Sequence, residues 1–300
     1  RYDLFIKPDK IMANDMEPVD RYFKTSDGVS LHSLEAGSGD ILLFIPGWSQ
    51  SARLFEILIK DLAKDYWVIA LDMRGHGESE KPDHGYRVSR FAADVFEFIE
   101  DRKLNNLTLI GHSMGCAVIW SFLDLFSDKN IQQIVLIDQA PSVVAWPNWS
   151  EQEKHLCGSL HTPESLFNTL TLLTSPDSAQ HRENYIREKL LTQNYPSELA
   201  DWILSENLKF PADYAARLLL DGSVQDWRDL IQKINLPTLI FGARASIFNP
   251  LSQIWISQQI KNSTIHIFDE TEGGSHFMWL ENPEMFLKLL RDFLSGRRSE

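Results

Sequence analysis

The chain has 300 residues, 43% of them hydrophobic, enough for one large α/β domain or such a domain carrying an inserted module. A formal net charge of −13 argues against a nucleic-acid surface. Two cysteines, Cys116 and Cys157, supply neither a disulfide framework nor a metal-ligand spacing, so no metal is expected. Residues 1–20 are polar and irregular and lack the charged-then-apolar order of a secretory signal. No stretch reaches the roughly 18 consecutive apolar residues of a membrane span. The expectation is a soluble, cytoplasmic protein that acts on a small molecule, with no nucleic-acid or membrane partner. Its oligomeric state is not legible.

In chain order, residues 1–21 read as an irregular extension. Residues 22–35 alternate polar and apolar around Asp27-Gly28, the pattern of a hairpin. The continuous apolar run at residues 41–45 reads as a strand buried on both faces, ending at Pro46-Gly47-Trp48-Ser49. Leu54, Phe55, Leu58, Ile59 and Leu62 then recur at helical spacing. Residues 67–71 form another buried strand, and residues 88–101 a helix. Strands follow at residues 107–110, 134–138, 237–242 and 264–268, and an amphipathic helix closes the chain at residues 283–294. Strands alternating with helices predict an α/β fold with a mostly parallel, doubly wound sheet. Residues 142–228 break the rhythm: helix-like pieces are separated by Pro147, Pro163, Pro176, Pro196 and Pro211, with no buried strand. They read as a helical cap inserted into a core made of residues 22–141 and 229–300. The insertion follows a strand end, which in an open α/β sheet puts it near the site.

The chemistry centres on residues 107–116. An apolar strand runs into Gly111-His112-Ser113-Met114-Gly115 and then into a helical run, the context of a nucleophile elbow. A strand that turns into a helix within a few residues strains the serine and leaves no room for bulky neighbours. The amide after the serine then lies at a helix N-terminus, where it can stabilise an oxyanion. A serine nucleophile needs a base and a group that orients it. Gly273-Gly274-Ser275-His276-Phe277 follows the last strand, and this placement lifts His276 above the other histidines. His112 is expected to pack beside the turn and His76 to be structural.

Pro46-Gly47-Trp48-Ser49, Asp72-Met73-Arg74-Gly75-His76-Gly77-Glu78-Ser79, the Gly111 to Gly115 elbow, and Gly274-Ser275-His276-Phe277 with Glu281-Asn282-Pro283 together resemble the α/β-hydrolase superfamily across residues 22–297. The resemblance implies Ser113 as nucleophile, His276 as general base, the Trp48 and Met114 amides as oxyanion hole, and no cofactor. The chain departs from the common pattern after the strand at residues 238–241. There most members carry an aspartate, and this chain carries Gly242-Ala243-Arg244-Ala245. Asp138, at the end of the strand expected beside the elbow, is the substitute. Asp269, Glu270 and Glu272 are lesser candidates. Trp48, His112, Trp146, Trp149 and Phe277 are the candidate pocket residues.

The implied function is hydrolysis of a carboxylic ester or lactone of a mainly apolar small molecule, through an acyl-enzyme. The chain is also similar to cofactor-free dioxygenases of 3-hydroxy-4-quinolones, in which the histidine deprotonates the substrate and the serine only hydrogen-bonds it. The missing late aspartate leaves a third alternative, a non-catalytic ligand-binding member of the fold.

Overall fold

The computed structural model describes residues 17–193 and 195–296. Eight strands form one sheet: β1 (Val19–Lys24), β2 (Ser30–Ala36), β3 (Asp40–Ile45), β4 (Tyr66–Leu71), β5 (Leu107–His112), β6 (Ile131–Ile137), β7 (Thr238–Ala243) and β8 (Ser263–Phe268). Their order is β1-β2-β4-β3-β5-β6-β7-β8. β2 is antiparallel to both β1 and β4, and every other pair is parallel. The sheet is therefore mostly parallel and doubly wound, as the alternation of strands and helices predicts.

The central strands are buried on both faces, which is why they read as continuous apolar runs. Within β3, Leu43 and Ile45 face one core cluster, while Leu42 and Phe44 face the other. The first cluster is closed by α2 (Val88–Asp101) and α3 (Met114–Leu125), through side chains such as Val95, Phe98, Val118 and Phe122. The second is closed by α1 (Glu56–Leu62) and the C-terminal helix (Pro283–Leu294), through Leu58, Leu62, Phe286 and Leu290. Each such side chain contributes about 1.5–3 kcal/mol on full burial.

One boundary needs correction. The extension was expected to run to residue 21, but β1 begins at Val19, which pairs with Glu35. Its residues are almost all exposed, so this edge strand carries no apolar period to read. The rest of the expected extension, residues 1–16, lies outside the described residues.

Between β6 and β7 the chain forms α4 (Glu151–Cys157), α5 (Pro163–Leu173), α6 (Ser178–Tyr185), α7 (Ser197–Asn207), α8 (Ala212–Ser223) and α9 (Arg228–Ile231). A π-helical turn at Ile186–Leu190 follows α6. The prolines are start signals: Pro163 opens α5 behind its Thr162 cap, and Pro196 and Pro211 are the N-caps of α7 and α8. Hydrogen bonds tie α7 and α8 to the loop after β3. The Trp48 indole N–H donates to the Ala215 carbonyl at 2.8 Å, and the Ser49 hydroxyl to the Asn207 carbonyl at 2.9 Å. The remaining elements are α10 (Pro250–Gln259), a short α11 (Met278–Glu281) and the C-terminal helix, α12.

Candidate active site

Ser113 stands between β5 and α3 with φ 53° and ψ −128°, a conformation that costs a non-glycine residue on the order of 1–3 kcal/mol. Its amide donates to the Ile137 carbonyl at 2.8 Å, and its carbonyl accepts from the Cys116 amide at 2.8 Å. The flanking glycines serve space rather than torsion. A β-carbon on Gly115 would come within 2.1 Å of the Ile45 carbonyl oxygen, and one on Gly111 within 2.6 Å of the Gly115 backbone. The strain thus rests on the serine, and the glycines let the start of α3 lie against the end of β3.

Asp138, directly after β6, shares this backbone signature, with φ 53°. Its carboxylate Oδ2 is 2.6 Å from His276 Nδ1, and both residues are buried. The same oxygen accepts from the Ser246 hydroxyl. Ser246 follows β7, one residue beyond Ala245, so the loop that lacks the expected aspartate still reaches the pair through a hydroxyl. Asp269, Glu270 and Glu272 have no hydrogen bond to His276 among the described residues. Asp269 and Glu272 instead close a capping box on the short turn beyond β8.

Ser113, Met114, Trp48 and His276 line one cavity of about 320 Å³. Among the described residues, no hydrogen bond joins Ser113 Oγ to His276 Nε2, and neither the Trp48 nor the Met114 amide has an acceptor. The Met114 amide heads α3, so the helix dipole adds to its pull on negative charge. Gly47 lies close to Ser113, since a β-carbon there would sit 2.8 Å from Ser113 Cβ.

Two buried histidines brace this frame. Burial pushes the His76 pKa down to about 4. Neutral His76 accepts the Ser49 amide at Nε2 (3.0 Å) and donates from Nδ1 to the Arg74 carbonyl (3.1 Å). His112 is held well below the ordinary histidine value by burial and by the neighbouring His276. Its Nε2–H donates to the His276 carbonyl at 2.8 Å, and Nδ1 stands 2.7 Å from the Gln50 amide oxygen. Both folded-state pKa values are depressed, so the unfolded chain binds the extra protons first. Their contribution is present above about pH 6.5 and is lost as pH falls toward about 4, a loss on the order of 3 kcal/mol for His76. His32 opposes this trend: against its burial, the Asp72 and Asp20 carboxylates raise its pKa. Urea midpoints between pH 7.5 and 4.5 should therefore fall less steeply in His76→Gln than in the unaltered chain. Equal slopes would remove His76 from the account.

The structure corrects three of the expected pocket residues. Trp48 and Phe277 do line the cavity. His112 does not: it is fully buried beneath the elbow, with its Nε2–H on the His276 carbonyl. Trp146 is 56% exposed, and Trp149 packs under the Arg228 guanidinium at 4.6 Å. Both lie in the loop before α4, away from the cavity wall. The rest of the wall is supplied by residues with no sequence signal, among them Gln139, Leu172, Arg182 and Asn207.

Residues 40–283 match the family described as alpha/beta hydrolase fold, and the chain belongs to that family of enzymes. The soluble epoxide hydrolase of Corynebacterium sp. (strain C12) is 32% identical over 287 residues, covering 91% of this chain and 96% of that protein. The bromoperoxidase of Bacillus anthracis superposes with a TM-score of 0.83 at 20% identity, over 92% of this chain and all of that one. An esterase of Exiguobacterium antarcticum does so with a TM-score of 0.81 at 22% identity, again over 92% of this chain and all of that one. No helix among the described residues is long and apolar enough to cross a membrane.

Proposed function

We propose that the protein is a serine hydrolase of a carboxylic ester or lactone, working through an acyl-enzyme. One observation carries the reading. A strained serine at the elbow shares a cavity with a histidine whose far nitrogen is held 2.6 Å from a buried carboxylate. Asp138 accepts Nδ1–H of His276, which fixes the tautomer with Nε2 free to take a proton. Ser113 Oγ attacks the carbonyl carbon as its proton passes to Nε2. The oxyanion is received by the Trp48 and Met114 amides, each contributing about 10²–10³ in rate. His276 returns the proton to the departing alkoxide, and the acyl group remains on Ser113. Water then attacks the acyl carbon with His276 as base, releasing the acid and restoring the serine. In a lactone the departing hydroxyl stays attached to the product.

Epoxide opening, the activity for which the Corynebacterium relative is named, proceeds through attack by a carboxylate at the elbow. A serine occupies that position here, which separates this chain's chemistry from that relative's. The test is covalent labelling: an alkyl fluorophosphonate should add one phosphonyl group, mapped by peptide mass to Ser113. A folded protein that takes no label would move the assignment to the non-catalytic binding alternative.

A further inference from the structure

Arg182 lies in α6 and is 3% exposed, in the wall of the cavity that holds Ser113 and His276. Its Nη1 donates to the Phe210 carbonyl at 2.9 Å, to the Asn207 carbonyl at 3.1 Å and to the Ser49 hydroxyl at 3.2 Å. All three acceptors are neutral. Nε and Nη2 are buried and have no partner. No carboxylate among the described residues lies within ion-pair distance of the guanidinium. Burial lowers its pKa to about 10, which leaves it a cation at neutral pH. Its guanidinium carbon sits 5.8 Å over the Trp48 ring, beside the oxyanion loop.

A buried cation without a counter-charge is destabilising by several kcal/mol in ordinary protein interiors. Here the two unused donors, Nε–H and Nη2–H, form one edge of the guanidinium. That edge presents two parallel N–H bonds, the spacing that matches the two oxygens of a carboxylate. Besides Arg182 and His276, the cavity wall carries Lys189, His161 and His181 but, among the described residues, one acidic side chain, Glu188.

We propose that Arg182 anchors a free carboxylate on the substrate, so that the ester cleaved at Ser113 is an ester-acid with its anionic end remote from the scissile carbonyl. This rests on the hydrolase reading above. The planar two-oxygen acceptor matches the unpartnered edge, and the remaining bonds from Nη1 hold the guanidinium in place.

The test compares two esters of equal chain length, para-nitrophenyl pentanoate and the para-nitrophenyl half-ester of glutarate. The unaltered enzyme should favour the half-ester. In Arg182→Gln the ratio of the two kcat/KM values should fall by roughly a hundredfold, chiefly through KM of the half-ester. Arg182→Lys keeps the charge without the fork and should give an intermediate ratio, which also guards against a folding defect in the glutamine variant. Separately, glutarate binding to Ser113→Ala, followed by calorimetry, should be lost when Arg182→Gln is added. An unchanged ratio together with unchanged glutarate binding would overturn the proposal and leave Arg182 as a tie between the Ser49 and Asn207 loops. If neither ester turns over but glutarate binds through Arg182, the hydrolase reading fails and the carboxylate site stands. Serine-dependent turnover of both esters with no preference and no glutarate binding gives the reverse.

Discussion

Replacing Ser113 with alanine is expected to lower kcat on an activated ester by on the order of 10⁶, with far-UV circular dichroism and the thermal midpoint little changed. The loss is large because the base and the acid act only through the serine. Once the hydroxyl is gone, the His276–Asp138 pair has nothing to activate, and only binding and the two amides remain. Structural cost is small because the side chain contributes no hydrogen bond among the described residues, and its backbone conformation is enforced by the Ile137 and Cys116 bonds. The cofactor-free dioxygenase alternative gives a different result. There the serine only positions the substrate, so Ser113→Ala would keep a sizeable fraction of oxygen consumption with a 3-hydroxy-4-quinolone. Retained turnover of that kind would displace the hydrolase assignment.

Asp138→Asn should reduce kcat by up to about 10⁴ at neutral pH. An amide nitrogen facing Nδ1 favours the tautomer with the proton on Nε2, which can no longer accept from the serine. Steady-state kinetics on the folded variant decide the matter. Activity within a few-fold of the unaltered enzyme would show that Asp138 does not orient the base.

Much of this frame can be read from residue order alone, and the reasons are local. The helix at Val88–Asp101 and the one at Pro283–Leu294 match their expected bounds, because each buries a single apolar stripe and the second opens on a proline. The elbow is legible because Gly111 and Gly115 are required by contacts within the same few residues and the neighbouring strand end. Val19 is not legible as a strand start, because an exposed edge strand has no apolar face to announce it. Trp146 and Trp149 were overvalued because size and aromaticity report burial tendency, not direction. Arg182 and Ser246 carry no pattern at all. Arg182 meets the site through partners 133 and 25 residues away in the chain, Ser49 and Asn207, and Ser246 through Asp138, 108 residues away. Such pairings exist only once the sheet has formed.

The Asp138–Ser246 contact has one last implication. β6 and β7 are adjacent and in register, with Ile137 opposite Phe241, so the loops leaving them open onto the same small volume behind His276. Neighbouring strands lie only about 4.8 Å apart, so the loops after them start close to one another. Side chains from both loops therefore meet at one carboxylate, Asp138 from the first and Ser246 from the second. The place behind His276 is a destination in space that two strand ends can reach, and in this chain the carboxylate comes from the earlier one.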